Sequence, residues 1–532
     1  MTQTTYSYDE RVRLKSIITK NATVDSSSPE LMKHQYHYDM QVPTYENPIQ
    51  THVPGFGFNH NGNINGIISS YDFEGVYGSP PSQFAHPTVY GYKYDRLNRL
   101  TDADGFVGDF VVAAMALGTN PTIAAVQIGD ERYTYDKIGN IKQLNRSISH
   151  SDPLDNTVVS KAKGWNYYYN GQNRLTQVMG NPGTASRGYT YDKNGNLLTD
   201  SYREIAEMQY GRTAYPYYLE ADNNKIAYLY SVDDQRMYKK VESSTETTSE
   251  FYLQDAMGKT VALRRKVGSA AATWEYYVNG SEREARIKNV THDGTIAPQE
   301  IEFYLYDHLG NTRVVYEHTY AGGGLAELVI NYAADYFSYG KVLREYVNSG
   351  SGAEKFLTTQ HERDKETGLD YRGARFFDSD IARFLSTDPL QTKFPSWSAY
   401  NYVMGNPISL IDPDGRSPEN TNGGGEKLNR MPNWASQKGF YVHQRANNLA
   451  SLQLFSDKSI DWNTSIVLIK QLNKAAVYAD SKQFQTSEYS YRHAMRNGEQ
   501  TVEQAKELAD AFVRERYQWA RYDYDNGNYE KA

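Results

Sequence analysis

The chain contains no cysteine, so disulfides are excluded, and cysteine usage leaves the redox compartment open. No apolar run approaches the roughly 18 residues that a membrane-spanning helix needs. The first ten residues, MTQTTYSYDE, lack the basic and apolar regions of a signal peptide. These absences favour a soluble protein without a membrane span.

What the chain has in abundance is tyrosine, with 47 Tyr against 18 Phe. Tyrosine rings can pack flat while their hydroxyls form hydrogen bonds, and aromatic residues favour strands over helices. A length of 532 residues exceeds what a single hydrophobic core usually serves, and a repeat architecture avoids that limit. The composition therefore predicts a mainly β fold, with more than one body.

A tyrosine followed by Asp or Asn and a short turn recurs along the chain. The copies are Tyr94–Leu100, Tyr135–Ile141, Tyr169–Leu175, Tyr191–Leu197 and Tyr306–Arg313. In each copy the aromatic residue ends a strand, and the Asp or Asn side chain opens a turn by binding nearby backbone N–H groups. Gly-Asn or Asn-Arg then supplies the position with positive φ, and usually Leu or Ile begins the next strand. The shared downstream residues argue against chance pairs and predict a series of β-hairpins with loop insertions between them.

The chain already starts on such a unit, at Tyr6 to Asp9, with no cap before it. A repeat array needs an atypical terminal unit to shield its end. We therefore expect the chain to be the C-terminal part of a longer polypeptide, or to need a partner that covers this end.

The stretch Tyr304–Gly415 carries an ordered set of further motifs. They are Tyr306–Asn311, Asp364–Leu369, Ala374–Asp378, Arg383–Pro389, Asn406-Pro407 and Asp412–Gly415. With the Tyr-Asp units, they resemble the YD repeats and the core-terminal domain of the Rhs family, relatives of the C components of insecticidal toxin complexes and of teneurins. The resemblance covers residues from about 1 to 415.

The resemblance implies three parts of the chain. Repeats in 1–303 would form a β-sheet that spirals into a hollow shell, and the core-terminal domain, 304–415, would plug it. The segment after that domain would be an enclosed toxin. A spiral agrees with the physics of the sheet, because antiparallel hairpins with a right-handed twist coil when they follow one another. The coiled sheet leaves only its terminal edges unpaired.

Several aspartates of this stretch could carry chemistry. The resemblance implies that the chain cuts itself just after Asp412–Gly415 by an aspartyl-protease-like reaction. Two carboxylates held close together cannot both ionise, so a pair supplies an acid and a base at one pH. The catalytic candidates are Asp388 and then Asp412, with Asp364 beside Arg363, and Asp378, as further candidates; the predicted cleavage region is Asp414, Gly415 and Arg416.

A purely structural role for these aspartates stays open, because Asp in such motifs often caps a turn. The sequence also departs from the family pattern after Asp388-Pro389, where it continues with Leu390-Gln391 in place of the glycine of many relatives.

After Gly415, residues 416–425 are small and polar, which predicts a flexible linker. Helical spacing of apolar residues in Asn463–Ala479 and a capping box at Thr501–Gln504 predict that residues 426–532 form a small, mostly α-helical effector module. Its charge is nearly balanced, so nucleic acid is not indicated.

The candidate effector residues in this module are His493, Arg492 and Arg496, although a lone histidine among aromatics is more often a packed polar residue. The module's other histidine is His443, so no complete metal site can be written down, and no cofactor is expected.

Two function classes follow. The first is an Rhs-type polymorphic toxin that encloses its own C-terminal cargo and is delivered by a secretion apparatus against bacteria or hosts. Its partners would be that cargo, an immunity protein, and the secretion apparatus or the missing N-terminal part. The second is a surface-associated adhesion protein whose tyrosine-rich sheet binds carbohydrate.

Overall fold

The computed structural model of the protein describes residues 2–8, 14–21, 31–38, 63–71, 84, 87–107, 126–151, 158–180, 186–211, 214–231, 235–255, 259–279, 283–290, 300–319 and 327–420. The second half of the predicted linker, 421–425, lies outside these residues, and so does the whole predicted helical module with its effector candidates. The described residues form two compact units. The first draws on Met1–Tyr202, Val278–Lys288 and Gln299–Gly425, and the second on Arg203–Tyr277 and Asn289–Pro298.

The first unit opens with twelve strands, each paired antiparallel with the next along most of the run. They are β1 (Thr2–Tyr8), β2 (Leu14–Asn21), β3 (Met32–His37), β4 (Gly66–Tyr71), β5 (Thr88–Tyr94), β6 (Leu100–Val107), β7 (Val126–Tyr135), β8 (Ile141–Ser151), β9 (Val158–Tyr169), β10 (Leu175–Gly180), β11 (Arg187–Tyr191) and β12 (Leu197–Asp200).

The second unit is a further antiparallel meander. It contains β13 (Ile205–Tyr210), β14 (Pro216–Ala221), β15 (Asn224–Tyr230), β16 (Arg236–Glu242), β17 (Thr247–Gln254), β18 (Thr260–Val267) and most of β19 (Thr273–Asn279). Its core is an apolar cluster in which Tyr238 and Phe251, directly opposite each other on β16 and β17, pack with Leu229 and Met237.

The chain then returns to the first unit. Its remaining long strands are most of β20 (Arg283–Val290), β21 (Glu300–Tyr306), β22 (Thr312–Thr319), β23 (Glu327–Tyr336) and β24 (Val342–Val347). Short strands follow in β25 (Glu362–Arg363), β26 (Asp370–Arg372), β27 (Arg375–Asp378), β28 (Arg383–Phe384), β29 (Leu410–Ile411) and β30 (Glu419–Asn420), with 3-10 turns at Gln391–Lys393 and Val403–Gly405. The predicted mainly β fold of consecutive hairpins is confirmed.

The Tyr-Asp turns form as their sequence predicts. Oδ1 of Asp136 accepts the backbone N–H groups of Ile138 and Asn140 at 3.0 and 2.9 Å, and the same bonds recur around Asp95, Asn170 and Asp307. The left-handed position is glycine at Gly139, Gly195 and Gly310, with φ of 82°, 89° and 79°, and asparagine at Asn98 and Asn173, both at 62°. Glycine adopts this conformation without steric cost, and asparagine tolerates it.

The tyrosine of one unit is tied to an earlier hairpin by its hydroxyl. Tyr135 donates to the carbonyl of Leu100 at 2.7 Å, and Tyr169 donates to the carbonyl of Ile141 at 2.6 Å. Each acceptor begins the strand after the preceding Tyr-Asp turn. A buried tyrosine thus fills the space between hairpins while its hydroxyl satisfies a backbone carbonyl.

Residues 357–408, which follow the last long strand, pack on the Tyr-Asp turns of the first unit. Their backbone and side-chain bonds reach four of these turns: Ser398 N–H to Ile138 O, Asn401 Nδ2 to Gly139 O, Arg383 Nη2 to Asn173 O, Tyr400 Oη to Gly195 O and Gln360 N–H to Gly310 O. A further bond joins Asn406 Nδ2 to Asn63 Oδ1, just before β4. The aromatic rings of Phe376, Phe377, Phe384, Tyr400 and Tyr402 are buried there. This part of the chain therefore positions itself by the turns that the repeat motif creates.

Candidate functional site

A two-stranded hairpin places the central side chain of the site. β26 and β27 pair antiparallel with Arg372 opposite Arg375, and Gly373 turns the chain between them at φ 68°. The guanidinium of Arg375 stacks on the ring of Phe384 at 3.5 Å from the ring centre, and only 2% of Arg375 is exposed. Stacking and burial hold this cation in one orientation.

Arg375 brings together two of the predicted catalytic residues. Its Nη2 lies 3.1 Å from Oδ2 of Asp388 and 3.1 Å from Oδ2 of Asp412. Its Nη1 donates to the carbonyl of Ala399 at 3.2 Å, and its Nε donates to the carbonyl of Gly415 at 2.6 Å. The first two candidates and the predicted cleavage region therefore meet at one guanidinium.

The electrostatics of this group favour a retained proton. Burial raises the pKa of Asp388; the Arg375 guanidinium opposes this effect, and the Asp412 carboxylate adds to it. Burial, followed by the nearby Asp412, also raises the pKa of Asp414. Because one buried cation faces three carboxylates, one of them can keep a proton at a pH at which an exposed carboxyl is ionised.

The side chain of Asp412 folds over the peptide that follows it. Its Oδ1 accepts the backbone N–H of Arg416 at 2.9 Å and that of Ser417 at 3.2 Å. The peptide between Gly415 and Arg416 is thus bound at both polar atoms, with its carbonyl on Arg375 and its N–H on Asp412. A polarised carbonyl beside carboxylates is the arrangement that acid–base hydrolysis of an amide requires.

The described contacts of the other predicted catalytic residues lie in different networks. Arg363 donates its Nε to Asp370 at 2.6 Å and its Nη2 to the carbonyl of Gly340 at 3.0 Å. Asp364 is buried in a turn in which its carbonyl accepts the N–H of Gly368 at 2.7 Å. Asp378 is also buried, and its Oδ1 accepts the N–H of Asp380 at 2.8 Å.

Sequence reasoning missed two residues of the site, Arg375 and His361. Arg375 sits inside the Ala374–Asp378 motif, and an arginine between apolar neighbours in a strand was a usable signal of a buried charge with partners. His361 contacts the carbonyl of Pro413 with its Nε2, at 3.1 Å, and only the folded chain shows that contact. Within the described residues, no group of three or more His, Asp or Glu side chains is arranged to hold a metal ion.

Comparisons with known proteins agree with the repeat architecture. The family model described as the teneurin YD-shell matches residues 117–233. Salivary gland surface protein 1 of Aedes aegypti is 24% identical over 262 residues, which are 47% of this chain and 7% of that protein. Toxin subunit YenC2 of Yersinia entomophaga is 26% identical over 364 residues, which are 62% of this chain and 34% of that protein.

A crystal structure of TcdB2-TccC3 has the same kind of fold, with a TM-score of 0.51 and 21% identity over 78% of this chain and 19% of the solved chain. This chain matches only a minor part of the length of each of these relatives. In the part of the chain that the structure describes, no helix is long and apolar enough to cross a membrane.

Proposed function

Because the chain is a YD-repeat protein of the Rhs family, we propose that it is a toxin-type protein that cuts itself between Gly415 and Arg416 and so separates its C-terminal segment from the repeats. The observation that carries the proposal is the peptide bond held between Arg375 and Asp412 with Asp388 on the same guanidinium. The match to a toxin subunit supports the class of function.

The proposed reaction is hydrolysis of one peptide bond by water. Asp388 acts in its ionised form and accepts a proton as the water oxygen attacks the carbonyl carbon of Gly415; because burial raises its pKa, this carboxylate is a stronger base than an exposed one. Arg375 donates to the carbonyl oxygen and stabilises the negative charge that develops on it. The proton taken by Asp388 is then given to the amide nitrogen of Arg416, the C–N bond breaks, and a carboxylate and an amine remain.

The test is the integrity of the full-length chain over time. We expect two products on a denaturing gel, the smaller holding about one fifth of the 60.6 kDa chain, with Arg416 as its first residue by mass spectrometry. The variant Asp388→Asn keeps the shape and the turn-forming hydrogen bonds but cannot accept the proton, so it should remain uncut.

Asp364→Asn is the control, because Asp364 lies in the same part of the chain and is more deeply buried than Asp388, but belongs to a different turn. It should still be cut. An intact wild-type chain after prolonged incubation would reject self-cleavage, and a folded Asp388→Asn chain that is cut at the wild-type rate would remove Asp388 from the mechanism.

The segment after the cut is proposed to be the toxin cargo, which the repeats shield until a secretion apparatus delivers the protein. An immunity protein in the producing cell would be its further partner. Expression of residues 426–532 alone should then arrest bacterial growth, with His493→Ala, Arg492→Ala and Arg496→Ala variants testing the effector candidates. A harmless, folded fragment would contradict the toxin proposal for this segment.

A second candidate is a surface-associated protein that binds carbohydrate, and the match to a salivary gland surface protein favours it. An uncut chain that binds a glycan and whose C-terminal fragment is harmless would support this alternative.

A further inference from the structure

The segment after Asp412 is held by more than the two carboxylates and Arg375. Its three consecutive carbonyls each lie on a donor: Pro413 O at 3.1 Å from His361 Nε2, Asp414 O at 2.9 Å from Ala374 N–H, and Gly415 O at 2.6 Å from Arg375 Nε. A peptide whose successive carbonyls are all bound is fixed along its length and not only at one point. We call this row of three contacts the carbonyl clamp.

Two glycines allow the clamp to close. A Cβ atom on Gly415 would lie 2.3 Å from the carbonyl oxygen of Arg372, and a Cβ on Gly373 would lie 2.8 Å from the carbonyl oxygen of Asp414. Both glycines have positive φ, at 72° and 68°. The β26–β27 turn and the bound segment therefore approach backbone to backbone, a distance that no residue with a side chain permits.

The contacts of His361 define which of its nitrogens carries the proton. The hydroxyl of Thr359 accepts a hydrogen bond from Arg372 Nη1 at 3.0 Å, and it lies 2.7 Å from His361 Nδ1. The carbonyl of Pro413 can only accept, so His361 donates Nε2–H to it. In a neutral ring Nδ1 then accepts the proton of the Thr359 hydroxyl, which also lies 2.8 Å from the Thr358 carbonyl. Burial, with the neighbouring Arg372 guanidinium, lowers the pKa of His361, which agrees with a neutral ring.

The turn that aims His361 is strained and is supported by a repeat. Thr359 and Gln360 have φ of 49° and 62°, a conformation that is costly for a β-branched residue such as threonine. The backbone N–H of Thr359 donates to Asn311 Oδ1 at 3.0 Å, and that of Gln360 donates to the Gly310 carbonyl at 3.0 Å. The last Tyr-Asp turn thus holds the strained residues that place the imidazole.

We propose that His361 is a positioning residue for the self-cleavage, in which its bond to the Pro413 carbonyl fixes the register of the segment so that the Gly415 carbonyl lies on Arg375. This inference rests on the proposed function, since it names the residue that sets the alignment of that same reaction. The reason is geometric, because a displacement of the reacting carbonyl by about 1 Å costs about a hundredfold in rate.

The test is a pair of amide substitutions at one position, in the full-length chain. The amide nitrogen of His361→Gln can reach the place of Nε2, whereas that of His361→Asn replaces Nδ1 and falls short of Pro413. We expect the Asn variant to form product at least about tenfold more slowly than the wild type, and the Gln variant to restore most of the rate. Equal rates in the two variants, or a wild-type rate in the Asn variant, would overturn the proposal.

His34→Asn is the control, because His34 is also buried and bonds Ser69 Oγ through Nδ1 at 2.7 Å, outside the clamp and outside the Tyr-Asp turn that supports it. It should be cut at the wild-type rate. A general loss of stability would slow all variants alike, so thermal unfolding is measured for each.

A second readout does not depend on cutting. In the Asp388→Asn background, hydrogen exchange should be faster at the amides of Arg416 and Ser417 when His361→Asn is added, with peptides of the repeats unchanged. Unchanged exchange at these two amides would reject the positioning role even if the wild-type chain is never cut. A wild-type chain that stays intact while exchange responds as expected would reject the proposed cleavage and retain the clamp.

Discussion

At the scale of a single residue, Asp335 shows how the repeats hold a charge that is fully buried. Its Oδ2 accepts from Arg344 Nε at 2.6 Å, and its Oδ1 lies 2.8 Å from Arg313 Nη2 and 3.3 Å from the hydroxyl of Tyr71. Burial alone would raise the pKa of this carboxyl, but the two guanidinium groups outweigh burial and hold the pKa below its usual value. The ionised form is therefore the one that the fold stabilises.

The sign of the pH dependence follows from that shift. Because the folded pKa lies below the unfolded value of 3.8, Asp335 stabilises the fold above about pH 4 and loses this contribution as the pH falls through the folded pKa. Asp370, whose burial is likewise outweighed by Arg363 and Arg372, acts in the same direction. We expect the free energy of unfolding, from urea titrations between pH 3 and pH 7, to fall at the acid end.

The variant Asp335→Asn isolates the contribution of this carboxyl to the pH dependence of stability. It should lower stability at pH 7 by about 3 kcal/mol, because two buried guanidinium groups lose their anion, and it should reduce the acid-dependent loss. If the free energy of unfolding of the variant changes between pH 3 and pH 5 as it does in the wild type, other carboxyls account for the loss of stability in acid.

At the scale of the hairpin, the tyrosine hydroxyls offer a comparison between two neighbouring repeats. Tyr169 donates to the carbonyl of Ile141, whereas the hydroxyl of Tyr191 is buried and has no hydrogen-bond partner among the described residues. Tyr169→Phe should cost about 1 kcal/mol of unfolding free energy, since the carbonyl of Ile141 loses its donor. Tyr191→Phe should be neutral or slightly stabilising, since it removes an unsatisfied polar group.

Urea unfolding of the two single variants at one pH provides the measurement. The two hairpins share the same turn motif and differ in whether the tyrosine hydroxyl has a hydrogen-bond partner. The difference in unfolding free energy between the two variants therefore reports the value of that hydrogen bond. Equal losses in the two variants would mean that ring packing, and not the hydroxyl bond, dominates at both positions.

The elements also show what the sequence could and could not predict. The Tyr-Asp turns were predictable because every bond that defines them joins residues at most four apart, as in Asp136 to Asn140. Asp388 and Asp412 were found by motif, but their common partner Arg375 was not, since that grouping depends on how β27 docks on the loops that follow it. Arg363 was expected beside Asp364, and the structure shows it bonded to Asp370 across the β25–β26 pair.

At the scale of the molecule, the repeats and residues 357–408 stabilise each other in the first unit. The ring of Trp397 would be 2.6 Å from a Cβ on Gly139, and the hydroxyl of Tyr400 would be 2.5 Å from a Cβ on Gly195. The glycines that let the turns form are therefore also the surfaces against which these aromatic side chains pack. Disturbance of residues 357–408 should reach several hairpins at once, because each of those turns loses a neighbour.

Truncation on either side of this part of the chain tests that dependence. A chain of residues 1–415 keeps the described bonds between residues 357–408 and the Tyr-Asp turns, and it ends where the proposed cut falls. We expect its thermal midpoint and its proteolytic fragment pattern to match those of the full-length chain. A chain of residues 1–350 lacks Trp397, Tyr400 and the other aromatic rings of residues 357–408, so the turns around Gly139 and Gly195 become exposed. This shorter chain should unfold at a lower temperature and be nicked by protease at those turns, whereas equal behaviour of the two truncations would show that the hairpins are stable without residues 357–408.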